Sequence, residues 1–393
     1  MKRRFIISAI YTSPPGTMGG NTKIMIEIIK NLFSEYEFVI ITTEPETFKK
    51  NIPSLKKSQI ITVPYKFKKF SYFSHYSEIK YIRSVFEKYL EQNPTTKNDI
   101  IYSCSDFGPD VLPLYFLKKK YTFKWIASLF LFIPTPFENI KNHYSFPLFK
   151  YIVYYIYQRF LLSKMKKRAD LFLITNEYDK KFFPSYMRKK IYPIYGGVNL
   201  EEIEKTNSKD LNNKNIYDAI FCSRLHPQKG VSGLLDVWSM VCKKFPEAKL
   251  CLIGNGDENY VKFLKEKAKN LGIKKNIDWL GYVNGIDKYK LYKSSKLLVH
   301  PTVYDNNGMV AAEALCTGLP VVMYDLPQLK KIYTKGCVKV MPYDKNKYAD
   351  SIISLFEQKK YNQLKPSTSD VSGIREFWSW KNRVREFNTF IHD

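Results

Sequence analysis

"PTVYDNNGMVAAEALCTGLPVV", residues 301–322, follows the apolar run "SKLLVHP" and itself closes on the apolar "PVV". Polar residues and Gly308 crowd together where the first run ends, and a stretch rich in small and apolar residues starts at Met309. This reads as strand, short polar loop, helix and strand, the unit from which parallel sheets are wound. A loop of this kind gathers free backbone N–H groups and the positive end of a helix at one point, which suits a phosphate. Asp305 and Glu313 flank that point. Carboxylates repel phosphate, so sugar hydroxyls are their natural partners; a solvated Asp and an ordinary helix Glu would show the same spacing.

The alternation extends outward in both directions. Upstream lie "NIYDAIFCS", a helical stretch around "GVSGLLDVWSMVCKKF", then "AKLCLIG", a helical stretch around "NYVKFLKEKAKNLG", and "IDWLGYV". Earlier still, "FIISAIY", "NTKIMIEIIKNLF", "EFVIITT", "DIIYSCS" and "KWIASLFLFI" repeat the pattern. In "TKIMIEIIKNL" the residues Ile24, Ile28 and Leu32 recur every four positions as one buried face, with Asn21 or Thr22 placed to cap it. The fold class is therefore α/β, with two doubly wound domains facing across a cleft and ligands expected at the carboxyl ends of the strands. The expected domains are 1–200 and 201–374, followed by an aromatic-faced helix over 375–393 that packs back toward the N-terminal domain. The boundary falls near Gly196 and Gly197, before the polar "NSKDLNNKN".

Two further loops carry chemistry. "AIFCSRLHPQKG", residues 219–230, ends a buried strand with Arg224, His226 and Lys229. A guanidinium fork and a lysine point charge together suit two linked phosphates, although surface cations are common in a chain with 63 Lys and Arg. "LIGNGDENY" repeats the strand, Gly-loop and helix theme at Gly254 and Gly256. "SPPGTMGGNTK", residues 13–23, looks like a nucleotide loop but fails the P-loop spacing, with Asn21 where the second Gly belongs. It also fails the G-x-G-x-x-G fingerprint.

Composition excludes several classes. At 393 residues and 45% hydrophobic, the chain is globular rather than disordered. A net charge of +26 calls for an anionic partner or surface, or reflects a Lys-, Asn- and Tyr-rich background. The six cysteines show no C-x-x-C and read as reduced core thiols of a cytoplasmic chain. "MKRRFIISAIYTSPP" imitates a signal peptide but lacks a small-residue cleavage site, so a first strand is expected. No run of apolar residues is long enough to span a membrane. The five histidines have no metal-ligand spacing, and no metal site or cofactor is expected. From Tyr144 to Arg168, "YSFPLFKYIVYYIYQRFLLSKMKKR" interleaves aromatics with cations, a composition that suits an anionic membrane interface or a partly buried helix. "KFKKFSYFSHYSEIKYIR", residues 66–83, is of the same kind. No nucleic-acid module is recognisable, so no nucleic acid is expected as a partner despite the charge.

The ordered set of motifs resembles the retaining nucleotide-sugar glycosyltransferases of family 4, which have the GT-B architecture of two Rossmann-like domains. The elements are Arg224 with Lys229, the turn Gly254-Asn255-Gly256, the turn Gly281-Tyr282-Val283, and "DNNGMVAAEALCTGLPVV". The resemblance implies that Arg224 and Lys229 neutralise the leaving diphosphate and that Glu313 holds the ribose. Gly308, Met309 and Val310 would offer N–H groups to diphosphate and sugar, while Tyr282 and Val283 lie near the base. Asp305 stands where the family has its first Glu, near the donor sugar, and Asn307 replaces a Phe. Gly254 belongs to the donor-binding set. Gly19 and Gly20 match a loop that approaches the diphosphate from the N-terminal domain. Leu131 stands at the place of a His found in many relatives, and Asp106 is the acceptor-side candidate to make up the lost hydrogen bond. The implied partners are a nucleotide-diphosphate sugar and a glycan or lipid-linked acceptor, with the protein peripheral at the inner face of the membrane. A phosphorylase or epimerase of the same fold, or an inactive sugar-nucleotide binder, is the alternative, and a basic nucleic-acid-binding protein is the alternative of another class.

Overall fold

The computed structural model describes residues 2–12, 19–64, 72–136, 148–206, 216–357 and 359–392. The expectations on Pro14 and Pro15, on residues 66–71 and 137–147 of the aromatic and basic stretches, and on the linker 207–215 lie outside them. The chain divides into two compact units, Met1–Gly196 with Arg383–Asp393, and Gly197–Asn382.

The first unit is built on a parallel sheet of β1 (Arg3–Ala9), β2 (Tyr36–Thr42), β3 (Ile60–Thr62), β4 (Ile100–Ser103), β5 (Lys124–Leu129), β6 (Leu171–Ile174) and β7 (Ile191–Pro193). The order across it is β3-β2-β1-β4-β5-β6-β7. Phe5 through Ala9 are all buried, because helices cover both faces of such a sheet and near-continuous apolar strands result. Strand order reverses between β1 and β4. There the buried carboxylate of Asp110 accepts from Ser8 Oγ at 2.8 Å, Ile10 N at 2.9 Å, Tyr11 N at 3.1 Å and Ser105 Oγ at 2.5 Å. One side chain thus ties both loops of the reversal to the helix Gly108–Leu117.

The second unit contains β8 (Tyr217–Cys222), β9 (Leu250–Ile253), β10 (Ile277–Gly281), β11 (Ser295–His300), β12 (Val321–Tyr324) and β13 (Cys337–Val340). All are parallel, in the order β10-β9-β8-β11-β12-β13. The helix Val231–Lys244 buries Leu234, Leu235, Trp238 and Val241, the one-sided spacing that its sequence shows. Strand order reverses here between β8 and β11, so the loops leaving their carboxyl ends diverge and leave a crevice.

Two local expectations are corrected. Neither Asn21 nor Thr22 caps the helix Gly20–Leu32: extended Gly19 is the N-cap, Asn21 Nδ2 donates to Tyr11 O at 3.2 Å, and Thr22 is buried. The aromatic C-terminal segment is two helices, Thr368–Trp378 and Trp380–His392, because Ser379 adopts extended backbone between them. Within the first unit, the last helix is held by Tyr36 OH donating to Asn388 Oδ1 at 2.7 Å and Lys124 Nζ donating to Ile391 O at 2.6 Å. All six cysteines are free thiols. Among the described residues, no helix is long and apolar enough to cross a membrane.

Candidate functional site

The β8 and β11 loops are sewn together by backbone contacts that only glycine permits. Gly230 has a φ of +72°, and a Cβ there would lie 1.9 Å from Pro301 O. Gln228 Nε2 donates to Tyr304 O at 2.8 Å, and Val303 N donates to Gln228 O at 3.1 Å. Gly254, with a φ of +142°, faces the β8 loop from β9; a Cβ there would lie 1.8 Å from Ser223 O. Its N–H donates to Gly281 O at 2.7 Å, and Leu225 N donates to Asn255 O at 2.8 Å. The Gly-loop at 254–256 therefore positions the strand end that carries Arg224.

Lys229 is brought by this packing against Asp305, 76 positions away in sequence, with Nζ 2.7 Å from Oδ2. The other carboxylate oxygen accepts from Asn307 N at 3.2 Å and Gly308 N at 3.0 Å. Burial works against the Asp305 charge, yet the Lys229 ammonium, the nearby His300 and these N–H bonds outweigh it and hold the carboxyl well below the usual range. His300 Nε2 lies 3.8 Å from Asp305 Oδ2. Its ring is 2% exposed, and burial pushes its pKa down to about 4, so it stays neutral at ordinary pH. Arg224 is exposed and makes no hydrogen bond or ion pair among the described residues.

The helix Met309–Cys316 starts at Gly308, whose φ of +58° lets the loop turn sharply into the first turn. No side chain caps it. Tyr333 OH, fully buried, lies 2.8 Å from both Asn307 O and Gly308 O and braces the loop from behind. Gly308 N–H is already engaged by Asp305, which leaves Met309 and Val310 as the first-turn donors without a partner among the described residues. Three buried polar atoms here make no hydrogen bond among the described residues: His300 Nε2, Thr302 Oγ1 and Asn307 Oδ1.

Glu313, on the same helix, is paired with Lys288, a residue the sequence reading did not single out. Lys288 Nζ lies 2.8 Å from Glu313 Oε1, and Tyr292 OH donates to Oε2 at the long distance of 3.5 Å. Tyr282 is 67% exposed and accepts from Asn284 Nδ2 at 3.1 Å, while Val283 beside it is half-buried. Arg224, Lys229, Asp305, Asn307, Gly308, Met309, Val310, Glu313, Gly254, Tyr282 and Val283 all belong to the second unit.

Gly19, Gly20 and Asp106 belong to the first unit. Gly19 and Gly20 open the helix Gly20–Leu32. Asp106 follows β4 at the strand-order reversal and accepts from Gln158 Nε2 at 2.7 Å; burial raises its pKa to about 6. The same Gln158 Nε2 donates to Leu131 O at 2.7 Å, and the Leu131 side chain itself is exposed. Among the described residues, no group of three His, Cys, Asp or Glu could hold a metal ion.

Residues 202–368 match the family described as "Glycosyl transferases group 1". An uncharacterized glycosyltransferase of Methanocaldococcus jannaschii is 30% identical over 215 residues, covering 50% of this chain and 52% of the relative. The chain thus spans about half of that relative's length. Alpha-monoglucosyldiacylglycerol synthase of Streptococcus pneumoniae is 23% identical over 337 residues, covering 80% of this chain and 70% of the relative. The fold is shared with Anabaena HepE, solved in complex with UDP and glucose: the TM-score is 0.73 at 16% identity, covering 99% of this chain and 100% of that one.

Proposed function

We propose, for a chain whose residues 202–368 are a group 1 glycosyl transferase domain, that it moves a sugar from a nucleoside-diphosphate-sugar donor to an acceptor with retention of configuration. The observation that carries this reading is Lys229, held on Asp305 beside the uncapped start of the helix Met309–Cys316, with exposed Arg224 on the same β8 loop at the β8–β11 strand reversal. Two cations and a helix N-terminus stabilise the charge that grows on a departing diphosphate, and preorganised donors of this sort act most strongly in a water-poor site.

Lys229 has three hydrogens and spends one on Asp305, so it can meet a phosphate oxygen without surrendering that pair. The bond from the sugar's anomeric carbon to the diphosphate oxygen breaks, and the acceptor oxygen attaches on the same face. The acceptor's proton passes to the leaving diphosphate. Charge is carried by side chains and backbone in this reading, and no metal cofactor is assigned. A thermal-shift screen of nucleotide sugars tests it, because a ligand of the native state raises apparent stability. At least one donor should raise Tm by several degrees at 1 mM; a flat response across uridine, guanosine, adenosine and thymidine diphosphate sugars would sink the reading.

The acceptor we assign is lipid-linked, presented at an anionic membrane surface. The helix Leu148–Arg168 supports this with Phe149, Ile156 and Phe160 at helical spacing, 78%, 61% and 45% exposed, and Lys167 on the same stripe. The Streptococcus relative is itself named for a glucosyldiacylglycerol. The protein should float with vesicles containing anionic phosphatidylglycerol at low salt, and the triple change of Phe149, Ile156 and Phe160 to Ser should abolish flotation. Equal flotation of both proteins would remove the helix from the account.

A further inference from the structure

Lys288 is a costly place for a charge. Its side chain is only 14% exposed, on the helix Gly285–Lys293, with Nζ 4.9 Å from the centre of the Tyr289 ring. An ammonium taken out of water in this way destabilises the fold unless a partner compensates. Its partner is Glu313 Oε1 at 2.8 Å, on a helix reached only through the tertiary fold. Burial opposes the charge, yet Glu313 and nearby Glu202 outweigh it and leave the Lys288 pKa raised. The ammonium therefore keeps its charge despite its burial.

The arrangement is asymmetric at the carboxylate. Oε1 is pinned by the ammonium, whereas Oε2 has, among the described residues, only the 3.5 Å approach of the Tyr292 hydroxyl. A carboxylate with one oxygen fixed by an ammonium and the other weakly engaged presents that second oxygen as an acceptor for a hydroxyl brought to it. We propose that Lys288 is a positioning residue for nucleotide binding: it neutralises and orients Glu313 so that Oε2 is aimed at a ribose hydroxyl. This rests on the reading of Glu313 as the residue that holds the donor's ribose. It also separates the site's three cations by task, with Arg224 and Lys229 serving the diphosphate and Lys288 serving the sugar of the nucleoside.

The test is titration calorimetry on the full chain with uridine, guanosine and adenosine diphosphates and their 2′,3′-dideoxy counterparts. Wild type should prefer the ribose form of its nucleotide by about tenfold or more. Lys288→Met should weaken the ribose form about tenfold and leave the dideoxy form unchanged, so that the preference collapses, and Lys288→Arg should restore most of it. Thermal melts of both variants verify that the fold persists. If Lys288→Met weakens ribose and dideoxy forms equally, the ammonium acts on the diphosphate or on folding alone and the proposal is overturned. An unchanged preference in Lys288→Met overturns it as well. A wild-type chain that binds no diphosphate removes the donor reading and this inference together, whereas wild-type binding with an unaltered preference in the variant removes this inference only.

Discussion

Lys229→Ala should reduce donor-dependent kcat/KM by about 10²- to 10³-fold, the usual cost of removing one preorganised donor from a developing negative charge. The hydrogens of Nζ not spent on Asp305 are the strongest donors available to a diphosphate at the β8–β11 reversal. The variant also strands Asp305, whose carboxylate is held ionised by that ammonium and is mostly buried. Breaking a buried pair from one side typically costs about 3–5 kcal/mol, so Lys229→Ala should be less stable as well as less active. The double change Lys229→Met with Asp305→Asn separates the two effects. It should recover much of the lost stability, because no uncompensated charge remains, and recover none of the turnover. Steady-state kinetics and denaturant melts of the three proteins check this. Recovery of turnover in the double variant would mean that Lys229 acts only by neutralising Asp305.

Gly254→Ala should cost about 3–5 kcal/mol and, with it, most donor binding, without altering any group assigned to the chemistry. A φ of +142° is open essentially to glycine alone, and the added Cβ would lie 1.8 Å from Ser223 O. Strain of about 1–3 kcal/mol comes from the backbone angle, and forcing the two strand ends apart adds about 1–3 kcal/mol more. For a unit of this size the loss corresponds to a fall in Tm of about 10 °C. The displaced backbone is that of Ser223, adjacent to Arg224, so the cation moves off its target while its charge is intact. Differential scanning calorimetry paired with nucleotide titration measures both effects. A Gly254→Ala protein that melts and binds like wild type would show that the close packing of the β8 and β9 loops is dispensable.

The sheets were legible in the sequence where strands are covered on both faces. Runs such as "FIISAIY", "AIFC" and "AKLCLIG" are almost wholly apolar because parallel strands sandwiched by helices have no solvent side. β3, β7 and β13 escaped because they are three or four residues long, and β3 and β13 are largely half-exposed, without the apolar run that marks the others. The break at Ser379 was invisible for a different reason: "FWSWKNRVREF" is apolar-periodic across it, and the turn is held by contacts distant in sequence, Val198 N donating to Trp378 O at 2.7 Å and Trp378 and Trp380 being buried.

The site divides in the same way. Lys229 and Asp305 were each readable from their loops, but their pairing is made by Gly230 and Pro301, a contact between strands distant in sequence. Gly308 was expected to offer its N–H to a ligand; the fold gives that N–H to Asp305 and leaves Met309 and Val310. Asp305, expected near the donor sugar, has Oδ2 on Lys229 and Oδ1 on the N–H groups of Asn307 and Gly308. Lys288 could not have been singled out. It sits in "NGIDKYKLYK" among Lys290 and Lys293, and nothing along the chain distinguishes the lysine that meets Glu313 from its two half-buried neighbours.

The central claim is that a diphosphate binds at the β8–β11 reversal of the second unit. A crystal structure of the chain with the nucleoside diphosphate selected by the thermal-shift screen tests it most directly. The account predicts the β-phosphate within hydrogen-bond distance of Lys229 Nζ and of the Met309 and Val310 N–H groups, with Arg224 turned toward it and Asp305 still on Lys229. A nucleotide bound elsewhere, or at this reversal with its phosphates turned away from Lys229 and the helix start, would contradict it.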